Sequence, residues 1–488
     1  MIETQQAIEP SRSSEFMKDV GIYAIGNLGS KVITFLMVPL YVYFVEQPAD
    51  YGYYDICLTV IFLLMPFVTL QLRDGAFRFL LDSKDDEERT KIVTMVYRTL
   101  LSTTVLTVAF SLAIAAFYDV KYLWYTLALL ITMSLQEVIS QVFRGLGNNK
   151  AFVTVGILSA FGIGVFSIIF VAFLHMGIKG IFLSNIIARF MALAIVEYRV
   201  KTLRQFLNVK VKSRTVTRNI LKYTLPLLPG SLCWWLTGSS DRWFIQEFLG
   251  LESNGIYAVA LRFTSIIQTF SIIFYQAWQE TAILQYHSKD RDTFFSKMFN
   301  SYIYILAVML VLFCFILKMN YGWLVNHSYQ GSVWYLYPMT LSAILFAISA
   351  FFDMGYQCAK DTKRTLPAIV LAAAVNVTLN FILIKPFGIR GVLATSILTY
   401  LLLAIYRWHD MKRYFKLSIY RVSVLSFTII LTSALAFYYC QAMWQDLLAM
   451  TLLLMVLLKF CPEMVKEDFV GKIAKKVGLS RHSKEGDC

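Results

Sequence analysis

Apolar residues along this chain come in long blocks, separated by short polar links. About 14 blocks are long enough, at roughly 20 residues, for a helix to cross a hydrocarbon core of about 30 Å. They run over 20–45, 53–80, 92–117, 122–144, 151–175, 178–200 and 219–247, then 255–285, 294–317, 333–358, 365–384, 388–408, 419–440 and 444–459. The blocks predict an all-α polytopic membrane protein.

Two blocks break the pattern. The stretch 225–250 carries Pro226, Pro229, Gly230 and Gly238, four hydroxyl residues (Ser231, Thr237, Ser239 and Ser240), and the charged pair Asp241 and Arg242. The stretch 20–45 carries Gly21, Gly26, Asn27, Gly29, Ser30, Lys31 and Pro39. Irregular or charged backbone at membrane depth belongs inside protein or beside a wet cavity. Paired segments of this kind point to a transporter's substrate site. The expectation is that the two stretches face each other across a central cavity.

Charge sets the orientation. With the N-terminus inside, the outer links hold only Lys121, Lys179, Lys318, Lys385 and Arg390, while the inner links hold many more basic residues, Arg407 among them. Both termini are then cytoplasmic, and no secretory signal is visible ahead of Val20. The longest and most basic link, 200–219, separates two six-helix halves. Gly177-Ile178-Lys179-Gly180 opens the sixth block and Gly388-Ile389-Arg390-Gly391 the twelfth. Phe143-Arg144 to Lys150 is echoed by Tyr356-Gln357 to Lys363, and Gly52-Tyr53-Tyr54 by Gly255-Ile256-Tyr257. The offset, roughly 200–215 residues, is shared and the order is kept, so the halves are parallel repeats about an axis along the membrane normal. The expected layout is a cytoplasmic segment 1–19, an N-lobe 20–200, a linker 201–218, a C-lobe 219–410, two further helices over 419–460 as a lipid-facing appendage, and a cytoplasmic tail 461–488.

A charge near the bilayer centre costs about 2.5–3.5 kcal/mol on insertion scales, so each asks for a reason. Lys31 and Arg189 sit near mid-membrane, facing protein or water, with Glu137 as the best-placed acid if they are merely paired. Arg242 and Arg262 lie roughly two turns from the outer face. As neighbours on one helix, Asp241 and Arg242 point about 100° apart and need not pair. Arg73, Asp74 and Arg78 lie toward the inner end of the second block, as helix ties or an inner gate. Asp353 and Glu280 near inner ends read as hydrated caps. Trp234 and Trp235 offer either sugar stacking or core packing. Taken together, the deep charges are mainly cationic and favour an anion, since Arg offers phosphate a planar fork and Lys a point charge.

Composition agrees. The 488 residues are 58% hydrophobic and 16% charged, with a mean hydropathy of +0.60, whereas soluble domains carry about 25% charged residues. The net charge of +14 resides in links between blocks, so topology accounts for it without nucleic acid. Seven cysteines form no CxxC pair and mostly read as small buried hydrophobes. The five histidines lack metal-ligand spacing, and neither a phosphate loop nor a nucleophile-base grouping is present.

The segment LPLLPGSLCWWLTGSSDRWFIQEFLGLESNGIYAVALRF, running on into FYQAWQE, resembles the Wzx-type flippases of polysaccharide repeat units (O-antigen or capsule), in the superfamily that also holds MATE exporters and lipid II flippases. The matching pieces are Ser240-Asp241-Arg242, Gly250, Gly255-Ile256-Tyr257 and Ala277-Trp278. RDGAFRF (73–79), FRGLGNNK (143–150) and the paired GIKG and GIRG resemble further family features. Gln279 and Glu280 stand where a proline usually follows the Ala-Trp pair.

The resemblance implies a MATE-like bundle of two six-helix lobes with a cavity open to one side at a time. It implies transfer of an undecaprenyl-pyrophosphate-linked glycan across the bacterial inner membrane, coupled to H+ or Na+, with no other cofactor. Membrane lipids, a polysaccharide polymerase and chain-length proteins are the implied partners. Lys31, Arg189, Arg242, Arg262, Trp234 and Trp235 are then the substrate-binding candidates, and Arg73, Asp74, Glu137 and Asp241 the coupling or gating candidates. The rivals are a MATE-like antiporter of small cations, a membrane-embedded glycosyltransferase or polymerase, and a scaffold in a synthesis complex. A cation carrier asks for deep carboxylates, and the first block has none. Such enzymes usually carry a large outer loop or an acidic cluster, whereas the outer links here are short.

Overall fold

Long apolar blocks fold as helices because a helix satisfies its own backbone in hydrocarbon. The computed structural model of the chain describes residues 33, 35–208, 210–359, 361 and 364–462. Lys31, most of the stretch 20–45 and the two terminal segments lie outside the described residues. The helices are α1 (Phe35–Phe44), α2 (Pro48–Thr69), α3 (Leu72–Asp82), α4 (Asp86–Phe117), α5 (Leu123–Gly145), α6 (Asn149–Ser167), α7 (Gly177–Val200), α8 (Thr202–Phe206), α9 (Arg214–Thr224) and α10 (Leu228–Gly238). They continue with α11 (Ser240–Gln285), α12 (Arg291–Leu324), α13 (Val333–Cys358), α14 (Thr365–Phe387), α15 (Ile389–Met411), α16 (Arg421–Tyr439) and α17 (Met443–Lys459). Among the described residues there is no strand.

Eleven described helices are long and apolar enough to span a membrane. Of the other expected blocks, the first lies largely outside the described residues, the seventh is broken, and α17 has 17 residues. Leu101, Leu106 and Phe110 on α4 are 65%, 68% and 68% exposed. Such a face invites aggregation in water and is ordinary against lipid tails.

The second block is not one helix but two. Leu70 and Gln71 adopt left-handed backbone (φ 46° and 55°) and separate α2 from α3. Pro66 lies one turn earlier and removes a ladder donor. The Thr103 hydroxyl donates to the Val68 carbonyl at 2.6 Å, and the Gln71 amide donates to the Ser231 hydroxyl. The seventh block is broken as its Gly and Pro content suggests. A 3-10 turn spans Leu225–Leu227, the chain leaves helix at Ser239, and Gly250 interrupts α11 at φ 86°. Past Trp278, α11 continues helically through Gln279 and Glu280 to Gln285.

Repeat-related glycines do the same work twice. Gly177 and Gly388 both take left-handed backbone, at φ 54° and 59°. Three residues on, a Cβ on Gly180 would lie 3.0 Å from the Phe170 carbonyl oxygen, and one on Gly391 would lie 2.2 Å from that of Leu383. Each GI(K/R)G signature thus turns the chain and presses the new helix onto the one before it.

The chain divides into two compact units. Among the described residues, one holds those up to 269 with 325–331 and 373–392; the other holds 270–324, 332–372 and those from 393 onward. In the first, Leu72, Ala76, Ile92, Val96, Val138 and Ile220 join α3, α4, α5 and α9 in one core, and Phe143, Val155 and Val196 join α5, α6 and α7 in another. The second is built on aromatics: Trp278 stacks on Phe351 at 4.9 Å, and Phe274 on Tyr302 at 3.7 Å.

Three expectations change here. Asp353 is no hydrated cap: it is buried and pairs at 2.9 Å with Arg407, which is 2% exposed and not a residue of an inner link. Lys318 is not in an outer link either. Its ammonium is mostly enclosed, donating to the Phe437 and Cys440 carbonyls at 2.7 Å each and to Asp446 at 2.8 Å. The final helices are therefore clamped to α12 by a charge rather than merely appended. Of the six described cysteines, Cys57 and Cys314 are buried, while Cys233, Cys358, Cys440 and Cys461 are half-buried. Lys318→Met is expected to lower stability by about 3 kcal/mol, because it strands Asp446 and two carbonyls away from water. Thermal melting in detergent reads this directly, and Lys318→Met/Asp446→Leu should recover part of the loss.

Candidate anion-binding site

The site is built from α2, α5, α7 and the part of α11 up to residue 269, all within the first unit. Asp55 lies in the second turn of α2 and is 2% exposed. A lone buried carboxylate needs a cation, and this one has two. Arg242 reaches it with Nε at 3.0 Å, and Arg262 with Nη2 at 3.4 Å. Arg189 on α7 donates from Nη1 to the Gln136 amide oxygen at 2.7 Å, and Gln136 donates in turn to Ser159 at 3.0 Å. The Arg189 Nε is buried with no hydrogen-bond partner among the described residues.

Arg189 and Arg262 are the charged residues on the wall of one cavity of about 110 Å³, with Tyr41, Tyr51, Tyr54 and Asn185 among its lining. Arg189 also lines a neighbouring cavity of about 280 Å³ beside Gln136 and Glu137. Tyr41 bonds to Ser167 at 2.7 Å, and Asn185 donates to the Ile181 carbonyl at 3.0 Å, so the polar walls are held by their own neighbours. With one Asp55 against Arg242 and Arg262, and Arg189 beside them, the group carries an excess of positive charge. In a low-dielectric surround that excess is felt strongly.

The other candidates fall elsewhere. Lys31 lies outside the described residues. Glu137 does not serve Arg189; it pairs with Arg73 at 2.7 Å, tying α3 to α5, and Arg73 also contacts Asp74 at 3.4 Å. Arg78 pairs with Asp82 on the surface. Asp241 points away from Arg242, accepting from Tyr257 at 3.1 Å and from Asn380 at 2.7 Å. Trp235 donates its indole N–H to the Thr59 carbonyl at 2.9 Å, a packing role, and Trp234 is 41% exposed.

Asp55 and Gln136 escape the sequence reading, which looked for deep cations. The available signal was a single carboxylate in the otherwise apolar run from Ile56 back to the tyrosines at 51, 53 and 54.

The model of one protein family, described as polysaccharide biosynthesis protein, matches residues 16–279. The chain belongs to that family. No curated protein matches it. The family's chain here has the fold of solved MOP-superfamily transporters. An inward-facing multidrug resistance MATE family transporter superposes with a TM-score of 0.65 at 14% identity, covering 82% of this chain and 96% of that one. The lipid II flippase MurJ, in its inward closed conformation, does so at 0.62 and 13% identity, covering 93% and 100%. A MOP superfamily transporter from Pyrococcus furiosus, reported with a binding pocket of reverse polarity, reaches 0.56 at 13% identity, covering 81% and 95%. At such identities the likeness is one of fold. The polysaccharide biosynthesis family member described here is thus an all-α, multi-pass membrane protein with a MATE-like fold.

Proposed function

We propose that this chain is a flippase for a lipid-linked oligosaccharide. The observation that supports it most is the cavity walled by Arg189 and Arg262, with Asp55 shared between Arg262 and Arg242. Two guanidinium groups left alone would repel each other. One carboxylate holds them together yet leaves a net positive charge for an incoming anion. A pyrophosphate head matches this chemistry through paired N–H donors. Only the charged end of the substrate is assigned to this cavity, because the charged residues of its wall are the two arginines. Family membership and the likeness to a lipid II flippase point the same way.

In this reading the substrate is an undecaprenyl-pyrophosphate-linked O-antigen or capsule repeat unit in the bacterial inner membrane. Two six-helix lobes, 20–200 and 219–410, alternate access with both termini cytoplasmic, and a polymerase and chain-length proteins act downstream. H+ or Na+ coupling falls to Asp241, the candidate carboxylate that is buried among hydroxyl and amide donors. A carrier of small cations would want a free deep carboxylate, and Asp55 is spoken for by two arginines.

The test uses a host whose surface polysaccharide depends on this protein. At matched protein levels, Arg189→Gln and Arg262→Gln are each expected to cut polymer about tenfold or more, the cost of one charge-assisted hydrogen bond. Normal polymer in both variants removes the cavity from the mechanism.

A further inference from the structure

A second basic feature lies apart from the arginine cavity and shares none of its lining. The connector helix α9 packs Ile220 and Val216 into the core formed with α3, α4 and α5. Its opposite face carries Arg214, Arg218 and Lys222, spaced four residues apart and therefore on one stripe. With Lys212 before it and Met95 and Arg98 on α4, this stripe lines a groove of about 710 Å³. Lys212, Arg214, Arg218 and Lys222 are exposed, and none has an ion-pair partner among the described residues.

The groove is amphiphilic as well as basic. Beyond Arg98, α4 presents Leu101 and Val105, which are exposed. Beyond Lys222 the connector presents Tyr223, Leu225 and Leu227, also open to the surroundings. On each of the two elements the chain thus passes from basic residues that line the groove to exposed apolar residues beyond it, with Leu225 in the lining itself. A small anion would use only the first part. A phosphate head with acyl chains attached uses both, and basic residues next to a membrane surface attract such heads.

We propose that the α4–α9 groove is a binding site for an anionic phospholipid of the surrounding bilayer, its phosphodiester held by Arg214, Arg218, Lys222 and Arg98 and its chains laid along Leu101, Val105 and Leu225. Because α9 leads directly into the broken stretch at Leu225–Leu227, an occupied groove anchors the start of that stretch. The proposal does not depend on what the arginine cavity carries.

The experiment titrates the purified full chain in detergent with phosphatidylglycerol or phosphatidylcholine and counts bound lipid by native mass spectrometry. Phosphatidylglycerol is expected to bind well below the concentration that phosphatidylcholine needs. Each basic residue near an anionic head is worth about fivefold, so Arg214→Gln/Arg218→Gln/Lys222→Gln is expected to weaken binding about 100-fold. Should that variant fail to fold, Arg214→Gln and Arg218→Gln singly should each weaken it about fivefold, and Arg218→Lys should retain most of it. Arg413→Gln and Lys121→Gln, exposed elsewhere, should change nothing. Equal binding of the two lipids, or full binding by the charge-depleted variants, overturns the site. Displacement by millimolar inorganic phosphate reduces it to a plain anion site. Displacement by undecaprenyl pyrophosphate more readily than by phosphatidylglycerol makes it a substrate entrance instead, and the phospholipid assignment fails.

Discussion

Asp55→Ala is expected to destabilise the protein by about 3–5 kcal/mol, more than any other single change at the candidate site. The carboxylate is 2% exposed and is shared by Arg242 and Arg262. Removing it leaves two guanidinium groups facing each other in a low-dielectric interior with no counter-charge. Melting of the purified protein in detergent measures the loss. A companion variant separates scaffold from function. Asp55→Leu/Arg242→Met/Arg262→Met replaces the whole ionic group with apolar side chains of similar bulk, and should regain most of the stability while polysaccharide export stays lost. A melting point for Asp55→Ala equal to that of the wild type would mean that the three residues do not form a charge-coupled unit.

Gly255→Ala is the second large effect, and its cause is space rather than charge. A Cβ at Gly255 would lie 1.8 Å from the Pro48 carbonyl oxygen, and one at Gly52 would lie 2.1 Å from that of Leu251. Both obstacles are backbone, so no side chain can rotate away, and the N-terminal ends of α2 and the second part of α11 must part by roughly 1.5 Å. The Asn254 amide, which donates to the Gly52 carbonyl at 2.9 Å, would be pulled from its partner. We expect a loss of about 3 kcal/mol or more for either substitution, seen as poor yield and a lowered melting point. Gly156→Ala is the control. Its Cβ meets nothing within 4 Å, so it should be neutral or stabilising by up to about 1 kcal/mol, as in any helix interior. If Gly255→Ala melts like Gly156→Ala, the close helix contact is not present in the folded protein.

These two cases mark how far the amino-acid order reaches. Long apolar blocks by themselves dictate helices, because hydrocarbon leaves the backbone no other partner. The broken character of 225–250 was legible for the same reason: Pro226, Pro229, Gly230 and Gly238 cannot sustain an uninterrupted ladder. The GI(K/R)G pairs announced a repeat, and Gly52 was matched to Gly255 on sequence alone. That those two glycines touch each other was not legible. The repeat tells which residues are equivalent, while contact depends on how equivalent helices meet.

Charge shows the same division. The excess of deep cations could be counted along the chain, since insertion cost depends on residue type and depth. Partner choice could not. Arg189 took Gln136 and left Glu137 to Arg73; Lys318 and Arg407 left the links for buried carboxylates; and Asp55 gathered two arginines some 200 residues away in the chain. Periodicity and composition are local properties, and they fix helices and their number of apolar turns. An ion pair is set by distance in space, its charged atoms having to meet within about 4 Å, and only the packed helices bring its two ends within that reach.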